Sequence, residues 1–297
     1  MRIYYGITDS QIDVTHICLL KLTNNNIITI PSGDGNRSHY FTDPLFGIHK
    51  KIIILHNGIL SEYDEYTQIK INMTTNIITT VNNNDINNKL NNIHSKLKLN
   101  YGSFNEELPE QKMAVRYLTG NEKVLEIGGN IGRNSLIIAS ILENSNNLVT
   151  LECDVNIAEQ LNANKELNNL QFHIEKSALS NRKLIQKGID TIPSDTLKDG
   201  YNWVNTITLN SLKTKYNIEF DTLVLDCEGA FYYILMDMPD ILKNINLIIM
   251  ENDYHNISHK NYIDNILSYN NFVVDYTESG GWGPCYNNFF EVWKKTT

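Results

Sequence analysis

An acid, three glycines and an amide crowd into seven positions, Glu126-Ile127-Gly128-Gly129-Asn130-Ile131-Gly132, directly after the apolar pair Val124-Leu125. Glycines at the exit of a strand let the backbone come close to a ligand, and the helix that follows offers unpaired N–H groups. Turns of this kind serve more than one nucleoside cofactor, and two details separate the cases. Glu126 stands two residues ahead of the first glycine, a partner for the ammonium of a methionine moiety and a poor neighbour for a pyrophosphate. Asn130 fills the middle position, where a dinucleotide fold needs a bare glycine against the pyrophosphate. Glu152 closes the next apolar run 24 residues after Gly128, where a carboxylate accepts from both ribose hydroxyls. The constellation points to S-adenosylmethionine, held by Glu126, Gly128, Asn130, Gly132, Ser135 and Glu152.

A second group of polar residues follows two further apolar runs. Asp226 and Glu228 come after 222–225, and Glu251, Asn252, Asp253 and His255 come after 247–250. A sulfonium methyl is already activated, so an enzyme has mainly to align the acceptor, and a hydroxyl acceptor profits from a base or a metal ion. One route has His255 or a carboxylate (Asp226, Asp253, with Glu228 in the same cluster) take the proton directly. The other has Asp226, Glu251 and Asn252 hold Mg²⁺, an arrangement similar to that of catechol-type O-methyltransferases, with Glu251 25 residues after Asp226. The metal-free route is preferred.

These residues need a scaffold, and the chain supplies an alternating one. Pro109 suits the first turn of a helix over 109–118, with Gly120 past its end. Strands are expected at 124–127, 148–151, 172–174, 222–225 and 247–250, and helices at 134–142, 155–167 and 259–268. Strands at 272–276 and 289–293, with no helix between them, predict an antiparallel hairpin. Such alternation makes an α/β fold with a largely parallel, doubly wound sheet. The segment 184–212 is too long for an ordinary connection and predicts a hairpin or lid, and Gly280 to Tyr286, with Trp282, a second wall. Residues 1–80 read instead as a small β-rich module, with β-branched stretches at 12–15, 26–30 and 50–55. Residues 81–104 are a polar linker or helix, and 105–297 the cofactor-binding domain.

Over 105–297 the chain resembles the FkbM family of S-adenosylmethionine-dependent methyltransferases. The likeness rests on Val124 to Gly132, on Thr150-Leu151-Glu152, and on Leu225-Asp226-Cys227-Glu228-Gly229-Ala230. It implies a class I methyltransferase fold, Rossmann-like, with a seven-stranded sheet whose last strand is antiparallel. It places Ser177-Ala178-Leu179 on the adenine side, Ser177 and Asp226 joining the cofactor set. It also implies O-methylation of a hydroxyl on a sugar, nucleotide sugar or glycan, in glycan biosynthesis. Phe231 and Asn210 stand where the family often carries acids, so no role is assigned there.

Composition sets outer limits. A formal net charge of −9 argues against nucleic acid as the main partner. The four cysteines are far apart without C-x-x-C spacing, which suits a reducing compartment. No apolar run is long enough to span a bilayer, so a soluble, cytoplasmic protein is expected, with a sugar or glycan acceptor as partner and a homo-oligomer left open. Asparagine is abundant and clustered, most simply through coding bias. The competing functional classes are methyl transfer to RNA or protein, and a scaffold that binds the cofactor without catalysis.

Overall fold

The computed structural model describes residues 1–24, 26–188 and 190–296. The chain divides into two compact units, Met1–Lys89 and Leu90–Thr297, with the division inside the helix Asn83–His94.

In the first unit two four-stranded antiparallel sheets share one core. One runs in the order Ser10–Asp13, Arg2–Ile7, Lys51–His56, Ile59–Tyr63, and the other Thr23–Asn24, Ile27–Ile30, Thr67–Asn72, Ile78–Asn82. Alternate residues on facing strands, among them Ile3, Tyr5, Ile28, Ile30, Ile52 and Ile69, fill the space between them. Two helices, Thr15–Lys21 and Asp34–Phe41, interrupt the module read as β-rich. Thr15 belongs to the first of them and not to the strand expected over 12–15. Arg37 on the second is wholly buried and donates to the carbonyls of Pro31 (2.9 Å), Asp64 (2.8 Å) and Thr67 (2.6 Å), which gives each of its three nitrogens a carbonyl acceptor.

The second unit is built on a seven-stranded sheet. Its strands are β1 (Val124–Ile127), β2 (Leu148–Leu151), β3 (His173–Glu175), β4 (Thr222–Leu225), β5 (Leu247–Glu251), β6 (Phe272–Glu278) and β7 (Phe290–Lys295). Their order across the sheet is β3-β2-β1-β4-β5-β7-β6. All pairings are parallel except those of β7, which runs antiparallel to both β5 and β6. This is the class I methyltransferase fold, Rossmann-like, with its last strand reversed. Strands β1, β2 and β4 are buried at every position, because helices cover both faces of a parallel sheet; that is why each reads as an unbroken apolar run.

The helices are α1 (Leu108–Tyr117), α2 (Arg133–Ile141), α3 (Val155–Leu167), α4 (Leu209–Tyr216), α5 (Ala230–Asp237) and α6 (Ile257–Tyr269). Asp154 caps α3 by accepting from the amides of Asn156 and Ile157, and Asn256 caps α6 through Ser258. Between β3 and α4 the chain makes a separate three-stranded antiparallel sheet of Leu184–Lys187, Asp190–Pro193 and Asn202–Val204, the first of these in the centre. Among the described residues no helix is long and apolar enough to cross a membrane.

Candidate active site

β1, β2 and β4 are neighbours, so the turns at their C-terminal ends meet. Gly128 has φ 93°, and a Cβ there would lie 1.5 Å from the main-chain oxygen of Asp226. The turn after β1 and the first residue after β4 therefore touch through bare backbone, and only glycine fits. The amides of Gly128 and Gly129 both donate to the Leu151 carbonyl, at 3.1 and 2.9 Å. Asn130, with φ 44°, donates its amide to Glu152 Oε2 at 2.9 Å, and the amide of Asp154 donates to Glu152 Oε1 at 2.8 Å. Glu152 is thus locked to the glycine turn, with burial pushing its carboxyl above the ordinary value.

A cleft of about 490 Å³ opens beside these turns. Gly128, Asn130, Glu152, Ser177 and Asp226 all line it, five of the eight residues expected to hold the cofactor. The other three brace the turn from behind. Glu126 is 2 % exposed and accepts from Ser135 Oγ at 2.5 Å; burial pushes its carboxyl up to about 7 against the pull of that hydroxyl and of Thr150. Ser135 is wholly buried, and Gly132 forms the N-cap of α2 with φ 93°. The opposite wall is the inserted three-stranded sheet, through Leu184, Gln186, Thr191 and Pro193. Its base is tied to the end of α5 by Arg182, which donates to both oxygens of Asp237 at 2.5 and 2.7 Å.

The residues beyond β4 and β5 gather at the same end of the sheet. Glu228 lines the cleft with Asp226, and it is held in the left-handed region at φ 49°. The amide of Gly229 donates to Asp253 Oδ1 at 2.9 Å, hooking one strand end to the next. Asp253 is 5 % exposed and its Oδ2 has no hydrogen-bond partner. Burial and the charge of Glu228 push its carboxyl up to about 7. Asp226 is driven well above its ordinary value, first by burial and then by Glu107, Glu110, Asp253 and Glu228. His255 is exposed, its ring 4.4 Å from that of Trp282.

The Mg²⁺ alternative gains no support. Asn252 is fully buried and donates its amide to the Asn288 carbonyl at 2.6 Å, which ties it to the turn before β7. Among the described residues no group of three or more His, Cys, Asp or Glu side chains is placed to hold a metal ion. Mg²⁺ at Asp226, Glu251 and Asn252 thus finds no support.

Two residues at the site escaped the sequence reading. Glu107 precedes α1 with φ 57°, and its Oε1 accepts from Arg133 at 2.6 Å and from the Asn130 side-chain amide at 3.4 Å. Glu110, one turn further on, is buried beside Glu251, and burial pushes both carboxyls above their ordinary values. The signal was present in the run Glu106-Glu107-Leu108-Pro109-Glu110, but acids at a helix N-terminus are ordinary partners of the helix dipole.

No protein-family model and no curated protein matches the chain. Solved structures with a similar fold include an O-methyltransferase from Bacillus cereus in complex with SAH, 16% identical, covering 71% of this chain and 90% of that one with a TM-score of 0.42. A ribosomal protein L11 methylase from Lactobacillus delbrueckii subsp. bulgaricus is 13% identical over 67% of this chain and 82% of its own, TM-score 0.41. A putative tRNA (m1A22) methyltransferase from Streptococcus pneumoniae, in complex with S-adenosyl-L-methionine, is 10% identical over 63% and 73%, TM-score 0.40.

Proposed function

We propose that the chain is an S-adenosylmethionine-dependent methyltransferase that methylates a hydroxyl of a sugar, nucleotide sugar or glycan. The observation that carries the cofactor reading is the cleft itself. It has the volume of a small-molecule site, it opens at the carboxyl ends of parallel strands, and one wall is a glycine turn locked to an acid at the end of β2. Glu152 has acceptor capacity left for ribose hydroxyls after its two backbone bonds. The residues at 177–179 supply a partly apolar surface for the base. Glu107, beside Asn130, is suited to the ammonium of the methionine end.

S-Adenosylmethionine supplies a methyl on a sulfonium, already activated for transfer. What remains for the protein is alignment and the removal of one proton. Asp253 is suited to take that proton, because one oxygen is fixed by the Gly229 amide, the other is free, and its affinity for a proton is matched to neutral pH. Asp226 and Glu228 line the cleft beside the glycine turn. His255 and Trp282 form an exposed aromatic pair on which a sugar face stacks. The FkbM-type motifs around Gly128 and Asp226 support the hydroxyl as acceptor.

A labelled-methyl assay of the full chain against nucleotide sugars and free glycans, with products read by mass spectrometry, tests the proposal. Transfer to a sugar oxygen is expected. Transfer only to RNA or to protein would overturn the acceptor, and calorimetry showing no S-adenosylmethionine binding would overturn the enzyme in favour of a scaffold.

A further inference from the structure

Residues 98–107, directly ahead of α1, form neither helix nor strand, yet side-chain amides hold their backbone in place. Asn164 on α3 is wholly buried. Its Oδ1 accepts from the amides of Asn100 at 2.7 Å and Tyr101 at 3.2 Å. Its Nδ2 donates to the carbonyls of Tyr101 at 3.1 Å and Ile131 at 2.9 Å. A carboxamide has two donors and two acceptor sites, so Asn164 uses all it has. Three of these bonds go to the segment before α1 and the fourth goes to the glycine turn. One helical turn on, Asn168 accepts from the Lys98 amide at 2.8 Å and donates to the Lys98 carbonyl at 2.7 Å. From the other end Gln111 of α1, also wholly buried, donates to the carbonyls of Phe104 at 3.2 Å and Glu106 at 2.7 Å.

The segment so held lies against the glycine turn. Gly102 has φ 79°, and a Cβ there would stand 2.2 Å from Ile131 Cδ1 and 3.2 Å from Arg133 Nε, so the contact needs bare backbone. At the segment's end Glu106 and Glu107 both pair with Arg133, the first residue of α2. Glu107 also accepts from the side chain of Asn130, which lines the cleft. The turn is thereby gripped from two directions. Glu152, the acid suited to the ribose, takes the Asn130 amide. Glu107, the acid suited to the ammonium, takes the Asn130 side chain, and Asn164 takes the Ile131 carbonyl. Asn164 itself does not line the cleft, so its influence on a ligand has to pass through these contacts.

We propose that residues 98–107 are a strap that fixes the amino-acid end of the bound cofactor, and that Asn164 is the residue that positions it. The inference rests on the S-adenosylmethionine reading and adds how the site tells the whole cofactor from its nucleoside alone. Truncating Asn164 leaves two amides and two carbonyls of the strap and turn without their partner. The strap then loosens, and Glu107 loses its fixed place beside Asn130. The nucleoside end keeps its own supports. Glu152 still holds the amides of Asn130 and Asp154, and Gly128 and Gly129 still donate to the Leu151 carbonyl. The loop at 177–179 makes no part of the strap.

The experiment is calorimetry on the full chain with two ligands, S-adenosylhomocysteine and 5′-methylthioadenosine, which keeps the thionucleoside and lacks the amino acid. Asn164→Ala is expected to weaken S-adenosylhomocysteine binding by about tenfold and 5′-methylthioadenosine binding by less than about twofold. Glu107→Gln should show the same selective loss. In the double variant the two losses should not multiply, because one residue acts through the other. Retained 5′-methylthioadenosine binding shows the variants folded; if Asn164→Ala does not fold, Asn168→Ala, at the start of the strap, carries the same expectation. Where the wild-type chain binds 5′-methylthioadenosine too weakly to measure, the double variant decides. Equal losses for both ligands would make Asn164 a support of the whole site and overturn the inference. So would S-adenosylhomocysteine binding that no variant weakens, losses that multiply, or a wild-type chain that binds both ligands equally. A wild-type chain that binds neither ligand would instead overturn the cofactor reading, and the inference with it.

Discussion

Asp253 is fixed at one oxygen and free at the other, and burial with the charge of Glu228 pushes its carboxyl up to about 7. A base must be ionised to act, so kcat/KM should rise with pH and level off above about 7. Asp253→Asn should lower kcat by roughly 10²–10⁴-fold, while calorimetry finds S-adenosylmethionine affinity unchanged; an equal loss of affinity would assign the residue to binding. Glu126 gives a different pH dependence. Its folded carboxyl is raised to about 7 from an ordinary value of 4.5, so folding takes up a proton there. The stability this contributes is complete below about pH 4.5 and is lost as pH rises through about 7. The cofactor-free protein should melt at lower temperature at pH 8 than at pH 5, and Glu126→Gln should flatten that slope, by about 3 kcal/mol at most. An unchanged slope would show that Glu126 titrates normally.

Elements are legible in a sequence where their cause is local. β2 and β4 fall on their expected bounds because short, wholly buried strands leave unbroken apolar runs. The glycine turn and Glu152 were legible for the same reason. Glu110 was not, since its meaning lies in Glu251, far along the chain and brought near only when α1 packs by β5. The helices Thr15–Lys21 and Asp34–Phe41 were missed because seven or eight residues show too little periodicity. Contacts between elements also decide which glycines matter. Gly128→Ala combines a left-handed backbone with a collision against Asp226, whereas Gly47, at φ 78°, has open space around it. Urea unfolding should show Gly47→Ala costing about 1–2 kcal/mol and Gly128→Ala clearly more, with loss of cofactor binding. Arg182→Ala removes a partly exposed ion pair between the base of the inserted sheet and α5, while Asn181 still donates to the Asp237 carbonyl. It should weaken S-adenosylmethionine binding by less than about fivefold, in line with the roughly 0.2–1 kcal/mol of such pairs.

On the scale of the whole molecule, the two units have separate cores, and every residue of the cleft belongs to the second. In scanning calorimetry, S-adenosylmethionine at 100 times its Kd should therefore stabilise the unfolding of that unit by about 2.7 kcal/mol and leave the first unit's transition in place. A shift in both would mean that they unfold together. Methyl transfer should survive EDTA undiminished, since among the described residues no three His, Cys, Asp or Glu side chains are grouped to hold a metal ion; loss of turnover restored by Mg²⁺ would contradict that.

Asparagine supplies an internal control on the two strained glutamates. Among the described residues ten that are not glycine have positive φ, and seven of them are asparagine: Asn26, Asn57, Asn76, Asn130, Asn169, Asn217 and Asn271. Where the backbone must turn left-handed, this chain's compositional habit meets the need with the side chain that tolerates it best. Glu107 and Glu228 depart from the habit, and both press their charge on Asp226. Asparagine at either place would relieve the backbone and remove a carboxylate. Replacing both with asparagine should accordingly yield a protein that is harder to unfold and poorer at its chemistry, a trade in which the bias of the composition serves as the reference.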